Sequence, residues 1–95
     1  MRKAIAIDAK DNVATLLTDA DKDDVVQIMS GDKVMEFRVR EKIQFGHKFA
    51  MKNIAKGQNV MKYGEIIGHA TQDISEGCHV HVHNVESLRG RGDLS

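Results

Sequence analysis

Val25-Val26-Gln27-Ile28-Met29-Ser30-Gly31-Asp32-Lys33-Val34-Met35-Glu36-Phe37-Arg38-Val39 is the stretch whose pattern decides the fold class. In its second half, Val34, Glu36 and Arg38 fall on one side and Met35, Phe37 and Val39 on the other. That period of two belongs to a strand with one buried face. The first half is a short apolar run rich in valine and isoleucine, closed by the turn-prone Ser30-Gly31-Asp32. Toward the N-terminus the rhythm repeats. Ala4 to Ile7 is stopped by Asp8-Ala9-Lys10-Asp11-Asn12, and Val13 to Thr18 is interrupted by the charged run Asp19 to Asp24. Toward the C-terminus Gly46, Gly57, Gly64, Gly68 and Gly77 recur, and the segments between them are too short for ordinary helices. The pattern predicts an all-β domain of many short strands. Helix is confined to one or two turns near residues 50–56 or 18–25, where Lys52 to Lys56 has room for one turn before Gly57.

The chain has 95 residues, enough for one small domain. A domain of this size buries roughly 60–65 % of its unfolded surface. Aromatic residues make up only 4 %, so Val, Ile, Leu, Met and Ala must build the core. No internal repeat or linker is apparent, and only residues 89–95, Arg-Gly-Arg-Gly-Asp-Leu-Ser, change character toward a tail. Lys plus Arg equals Asp plus Glu at 14 each, which argues against nucleic acid as a partner. The balance is uneven along the chain. Residues 1–32 carry 4 bases and 7 acids (−3), residues 33–62 carry 8 and 2 (+6), and residues 63–95 carry 2 and 5 (−3). The basic middle is either a solvated face or a patch that attracts an anion or an acidic surface. One cysteine, Cys78, excludes an internal disulfide framework, and no apolar run is long enough for a membrane span. No secretory signal opens the chain, so a cytoplasmic location is the expectation.

The strongest chemical signal is Gly77-Cys78-His79-Val80-His81-Val82-His83-Asn84-Val85. Read as one strand, it puts His79, His81 and His83 on one face and sends Val80 and Val82 into the core. Imidazoles are metal ligands and general bases near neutral pH. The outer two would sit about 13 Å apart along an extended strand, so a pair with a residue from elsewhere makes the better site. The favoured pair is His81 and His83, about 7 Å apart along the backbone. His47 and Lys48 approach from the turn at Gly46, and His79 lies further from the shared centre. Asn84 is expected to fix the turn that ends the strand. The bland reading is a polar strand face that happens to be rich in His.

Three other matches carry less. Asp19-Ala20-Asp21-Lys22-Asp23 opens like a calcium loop, but Asp24 stands where Gly is needed and Ser30 where Glu is needed. Arg91-Gly92-Asp93 matches an adhesion tripeptide without an export signal to give it meaning. Cys78 beside the histidines fits a small buried residue better than a ligand.

Four motifs stand in order: Gly46-His47-Lys48-Phe49-Ala50, Lys62-Tyr63-Gly64-Glu65-Ile66-Ile67-Gly68, His79-Val80-His81-Val82-His83-Asn84 and Arg89-Gly90-Arg91-Gly92-Asp93. Together they resemble the N-terminal module of the altronate/galactarate dehydratase family, a SAF-type domain with a β-clip fold. The likeness is tight over about half the chain and loose over the earlier strands. It implies a SAF-like domain at 1–88, with residues 89–95 at the linker position of fused relatives. It also implies that this chain acts like the free-standing small subunits of the family, as in sulfolactate sulfo-lyase. The partner would be a large catalytic dehydratase-like subunit, with a homo-oligomer as a further possibility.

The implied chemistry is β-elimination from a small anionic 2-hydroxy acid such as altronate, galactarate or sulfolactate. A base takes the proton beside the carboxylate, water or sulfite leaves the next carbon, and the enol collapses to a 2-oxo acid. A divalent metal, iron by the family's association, would stabilise the enediolate, and the large subunit could hold most of it. Within this reading His47, His81 and His83 are the catalytic candidates, His81 and His83 the metal ligands, and Lys48 the substrate-binding cation. The alternatives are a non-catalytic SAF-type module that binds an acidic sugar or a partner protein, and a structural domain whose histidines serve solubility or assembly.

Overall fold

The computed structural model describes residues 2–30 and 32–87. The tail expected at 89–95 lies outside the described residues. Among the described residues nine strands follow one another: β1 (Arg2–Ile5), β2 (Val13–Leu16), β3 (Val25–Ser30), β4 (Lys33–Arg38), β5 (Lys48–Ala50), β6 (Asn59–Lys62), β7 (Glu65–Ala70), β8 (His79–Val80) and β9 (Val85–Ser87). The domain is all-β, with no helix among the described residues. Residues 18–25 and 50–56, where a helical turn had room, form bends and tight turns instead. The alternating stretch behaves as its pattern predicts. β3 and β4 pair antiparallel from Val25↔Arg38 to Ser30↔Lys33, with Val34, Glu36 and Arg38 exposed and Met35, Phe37 and Val39 turned inward.

A six-stranded sheet runs in the order β4-β3-β1-β2-β5-β8, and a three-stranded sheet in the order β6-β7-β9. The core forms two apolar clusters, the first on the larger sheet and the second between the two sheets. One is built around Leu16, Ile28, Ile43 and Phe49, the other around Val13, Ile54, Val60, Ile74 and Val80. The turn after β1 joins the sheets. Asn12 Oδ1 accepts from Met61 N at 2.7 Å and its Nδ2 donates to Asn59 O at 2.9 Å. The buried Asp11 accepts from Ile7 N and Asp8 N, each at 3.1 Å, and from Gly64 N at 2.8 Å. Burial alone would raise the Asp11 carboxyl, but those backbone donors outweigh it and hold the pKa below 3.8.

Contrary to the expectation of no internal repeat, one hydrogen-bonded corner occurs four times. Its anchors are Ala20, Ile43, Ile54 and Ile74, all buried, and they bridge in pairs as Ala20↔Ile43 and Ile54↔Ile74. Three residues after each anchor the backbone turns through a positive φ: Asp23 (73°), Gly46 (84°), Gly57 (89°) and Gly77 (88°). The amide of each of these residues donates to a buried apolar residue four positions before the partner anchor. The pairs are Asp23 N to Val39 O, Gly46 N to Leu16 O, Gly57 N to Ala70 O and Gly77 N to Ala50 O, at 2.8–3.0 Å. The same buried residue donates back to the residue after the turn, as in Ala50 N to Cys78 O at 2.9 Å. Side chains staple three of the four corners: Asp19 accepts from Phe45 N, Asn53 from Glu76 N and Asp73 from Lys56 N. The fourth equivalent is Lys42, which has no acceptor to offer. The anchors are unevenly spaced, so no fixed sequence period reveals them.

Candidate functional site

The four corners share a backbone but not a cargo. After Gly46 come His47 and Lys48, which start β5. After Gly77 come Cys78 and His79, which start β8. These two strands pair antiparallel, Lys48↔Val80 and Phe49↔His79, so the corner of one half meets the corner of the other along this seam. Gly77 is buried at the seam, and a Cβ there would come within 2.6 Å of Arg38 O. Cys78 is half-buried and packs against the second cluster.

One strand through the histidines does not exist. β8 is only His79–Val80, and residues 81–84 turn back toward β9. Asn84 causes this, as a turn-fixing residue should. It is buried, its Oδ1 accepts from His81 N at 2.9 Å, and its Nδ2 donates to His79 O at 2.8 Å. Val82, expected in the core, is 81 % exposed at the turn, whereas Val80 is buried. The turn folds the histidines together instead of spreading them along a line. The His79 and His83 rings lie 5.1 Å apart, and His79 and His81 stack at 5.4 Å.

His47 completes the group. Its ring stacks on His81 at 4.3 Å, and its Nδ1 lies 2.9 Å from His79 Nε2. That hydrogen bond requires one nitrogen to donate and the other to be an unprotonated acceptor. The ligand atoms of His47, His79 and His81 all lie within 4.8 Å of one another, and all three residues are half-buried. His79, expected to be distant, is therefore central, while His83 sits exposed at the edge and outside the trio. Burial lowers the pKa of His79 below 6.5, helped by His83, His47 and His81 and opposed by Glu41, whose carboxylate accepts from His79 N at 3.0 Å. His81 is lowered by burial and by His47, Lys48 and His83. Both are thus biased toward the neutral imidazole, the form that ligates metal and accepts protons. Three imidazole nitrogens this close form a donor set that suits a divalent cation, which takes histidine nitrogens at about 2.0–2.1 Å.

Beside the cluster a half-open groove of about 650 Å³ runs between the two sheets. Ile67, Val80 and Val85 line it with apolar surface, and Lys48, Lys62 and His81 supply its cations. The ammonium of Lys48 is held below its usual pKa of 10.5 by burial and by the nearby Lys62. Sequence reasoning found Lys48 but missed His79 and Lys62. The signal for His79 was Asn84 itself, because a turn former at that point is incompatible with three histidines on one straight strand.

The profile of the altronate/galactarate dehydratase SAF domain matches residues 2–88. The chain belongs to that family. Altronate dehydratase of Escherichia coli K12 is 43 % identical over 83 residues, which is 87 % of this chain but 16 % of the dehydratase. The (2R)-sulfolactate sulfo-lyase subunit alpha of Chromohalobacter salexigens is 42 % identical over 62 residues, 65 % of this chain and 66 % of that subunit. The subunit of the same name from Paracoccus pantotrophus is 43 % identical over 56 residues, 57 % of this chain and 84 % of that subunit. This SAF domain is therefore a lyase-family module. It spans about a sixth of the dehydratase and about two thirds or more of the sulfo-lyase subunits, judged by the 16 %, 66 % and 84 % covered.

Proposed function

We propose that this SAF domain is the small subunit of a metal-dependent lyase that eliminates water or sulfite from a 2-hydroxy acid to give a 2-oxo acid. Its partner is a large dehydratase-like subunit, a reading supported by relatives that are themselves named as alpha subunits. The observation that carries the chemistry is the close trio of His47, His79 and His81 at the seam, in which His79 and His81 are held toward the neutral form.

In this reading the trio would hold a divalent metal, iron by the family's association. The metal would polarise the carboxylate and hydroxyl oxygens and so stabilise the enediolate. Lys48 neutralises the substrate carboxylate from the groove side. His83, exposed at the edge of the cluster, serves as the proton-accepting imidazole. Glu41 is the carboxylate tied to the cluster, through His79 N, and it orients that residue. The small subunit is then incomplete alone: the isolated chain has negligible activity on sulfolactate, altronate and galactarate, and adding the large subunit restores it. Enzyme-like turnover by the isolated chain would overturn the proposal, as would full activity of the large subunit without this chain.

The alternative is a non-catalytic module for an acidic sugar or partner protein. The cluster's ligand trio is made of imidazoles alone, and the nearby Glu41 carboxylate is engaged by His79 N, which favours binding over complete catalysis. The reconstitution experiment separates the two readings.

A further inference from the structure

The six-stranded sheet has two faces, and alternate residues of each strand point to opposite ones. Ala4, Ala14, Val26, Ile28 and Phe49 point into the first apolar cluster. Val13, Ala50 and Val80 point the other way and belong to the second cluster, between the sheets. That second cluster draws on β2, β5 and β8 but takes nothing from β1, β3 or β4. On those three strands the same face is bare: Val34 is 59 % exposed, Met29 47 % and Val25 36 %.

Register arranges the bare face into rows. Val34 on β4, Met29 on β3 and Ile5 on β1 lie side by side as an apolar stripe. The next row is Glu36, Gln27 and Lys3, and beyond it Val25 stands beside Arg38. β3 is the middle column, with β4 on one side and β1 on the other. Across that column Val34 balances Ile5, and the acid Glu36 balances the base Lys3. Their backbones are two strand spacings apart, about 9–10 Å. Neither Glu36 nor Lys3 is in an ion pair among the described residues.

Apolar groups balanced like for like, with charges balanced by opposites, are what a two-fold contact requires. Turning one copy over about an axis along β3 lays the β4 column of one copy on the β1 column of the other. Met29 then meets Met29, Val34 meets Ile5, and Glu36 meets Lys3, the last two pairs each occurring twice. An axis along the strands also keeps the stacked sheets nearly aligned, a common packing for sheets about 10 Å apart. A face shaped for an unrelated protein is under no constraint to balance about its own middle strand.

We propose that the bare face of β4-β3-β1 is a self-association surface whose occupant is a second copy of this chain. The inference is independent of the lyase reading. β8 stands at the far end of the sheet from β4, so the imidazole trio stays outside the contact. The patch is small, below about 1,200 Å² in total, and the expected dissociation constant is about 10–100 µM.

Sedimentation of the full chain over about 5–500 µM brackets that constant and should show the dimer fraction rising. Met29→Lys puts two like charges on the axis and should keep the chain monomeric throughout. Lys3→Glu alone, or Glu36→Lys alone, opposes like charges twice and should weaken the dimer about tenfold or more. The double variant Lys3→Glu with Glu36→Lys should restore the parent affinity, because the pairs re-form with their signs exchanged. Lys56→Glu makes the same charge change at an exposed turn of the other half and should alter nothing. Circular dichroism checks that each variant folds, and the charge exchange decides the matter if Met29→Lys does not. A parent chain that stays monomeric over the whole range would overturn the proposal. So would a double variant no tighter than the singles, or a folded Met29→Lys that associates like the parent. A dimer indifferent to Lys3→Glu would assign the contact to the open edge of β4 instead and equally overturn it. If the parent is monomeric and Met29→Lys weakens its binding to the large subunit, the face belongs to that partner and the proposal falls.

Discussion

The corner at Gly57 and the corner at Gly77 have nearly the same backbone, with φ of 89° and 88° and the same clamp of hydrogen bonds. Their surroundings are opposite. Space around a Cβ at Gly57 is open, whereas at Gly77 it is occupied by the Arg38 carbonyl and the Arg40 side chain. Gln58 and Asn59 follow the first, and Cys78 and His79 follow the second. The comparison separates two jobs that one motif performs. At Gly57 the glycine serves only the turn, while at Gly77 it also lets β8 approach the first half closely enough to put His79 against His47.

Substitution at the two glycines should break the equivalence most strongly. Gly57→Ala bears only the left-handed backbone penalty and should cost about 1–2 kcal/mol. Gly77→Ala adds a backbone overlap that side-chain motion cannot relieve, and should cost about 3 kcal/mol or more. Denaturant unfolding compares them, and equal losses would show that Gly77 serves the turn alone.

Asn84 and Asn53 make the next contrast. Asn53 caps a turn from an exposed position, and its alanine variant should lose about 1 kcal/mol. Asn84 is buried with two backbone partners, and Asn84→Ala should cost about 2–3 kcal/mol. It should also release His81 from the cluster, visible as changed His81 and His83 ring shifts in an NMR spectrum.

Titration distinguishes the seam from the rest of the fold. His79 and His81 have pKa values lowered in the folded state, so the unfolded chain binds protons more readily. Stability is then full above about pH 6.5, the ordinary His value. It declines as pH falls from there through the folded values. The thermal midpoint should be lower at pH 5 than at pH 7.5, and His79→Gln with His81→Gln should flatten that slope. Asp11 acts in a separate window: its contribution is present above 3.8 and lost as pH falls further through its depressed folded value. An Asp11→Asn variant should therefore flatten the acid limb only.

Lys48 gives the smallest effect and the opposite sign. Its ammonium is half-buried without an ion pair among the described residues, so Lys48→Met should raise the thermal midpoint slightly near neutral pH. A lower midpoint would mean that the side chain contributes packing that outweighs its desolvation.

Much of the fold was legible in the sequence because the first four strands announced themselves locally. Val34 to Val39 alternates, Asp8 to Asn12 and Ser30 to Asp32 punctuate, and glycines mark the corners. The repeat was not legible, because its identity lies in hydrogen bonds between residues far apart, and Asp23 stands where the other corners have glycine. At the site, His47, Lys48 and His81 were readable from residue type. The placement of His79 was not. Extending the strand through His83 applied a period of two to a segment that Asn84 turns after two residues.

The central claim is that the imidazole trio at the seam is the working part of this SAF domain. It is tested most directly by reconstituting the domain with the large dehydratase-like subunit and iron, then replacing His81 by alanine. The account predicts a fall in elimination rate of about 10² or more, with the thermal midpoint of the variant within a few degrees of the parent. A variant complex that binds iron and turns over at the parent rate would contradict it and move the chemistry wholly to the large subunit.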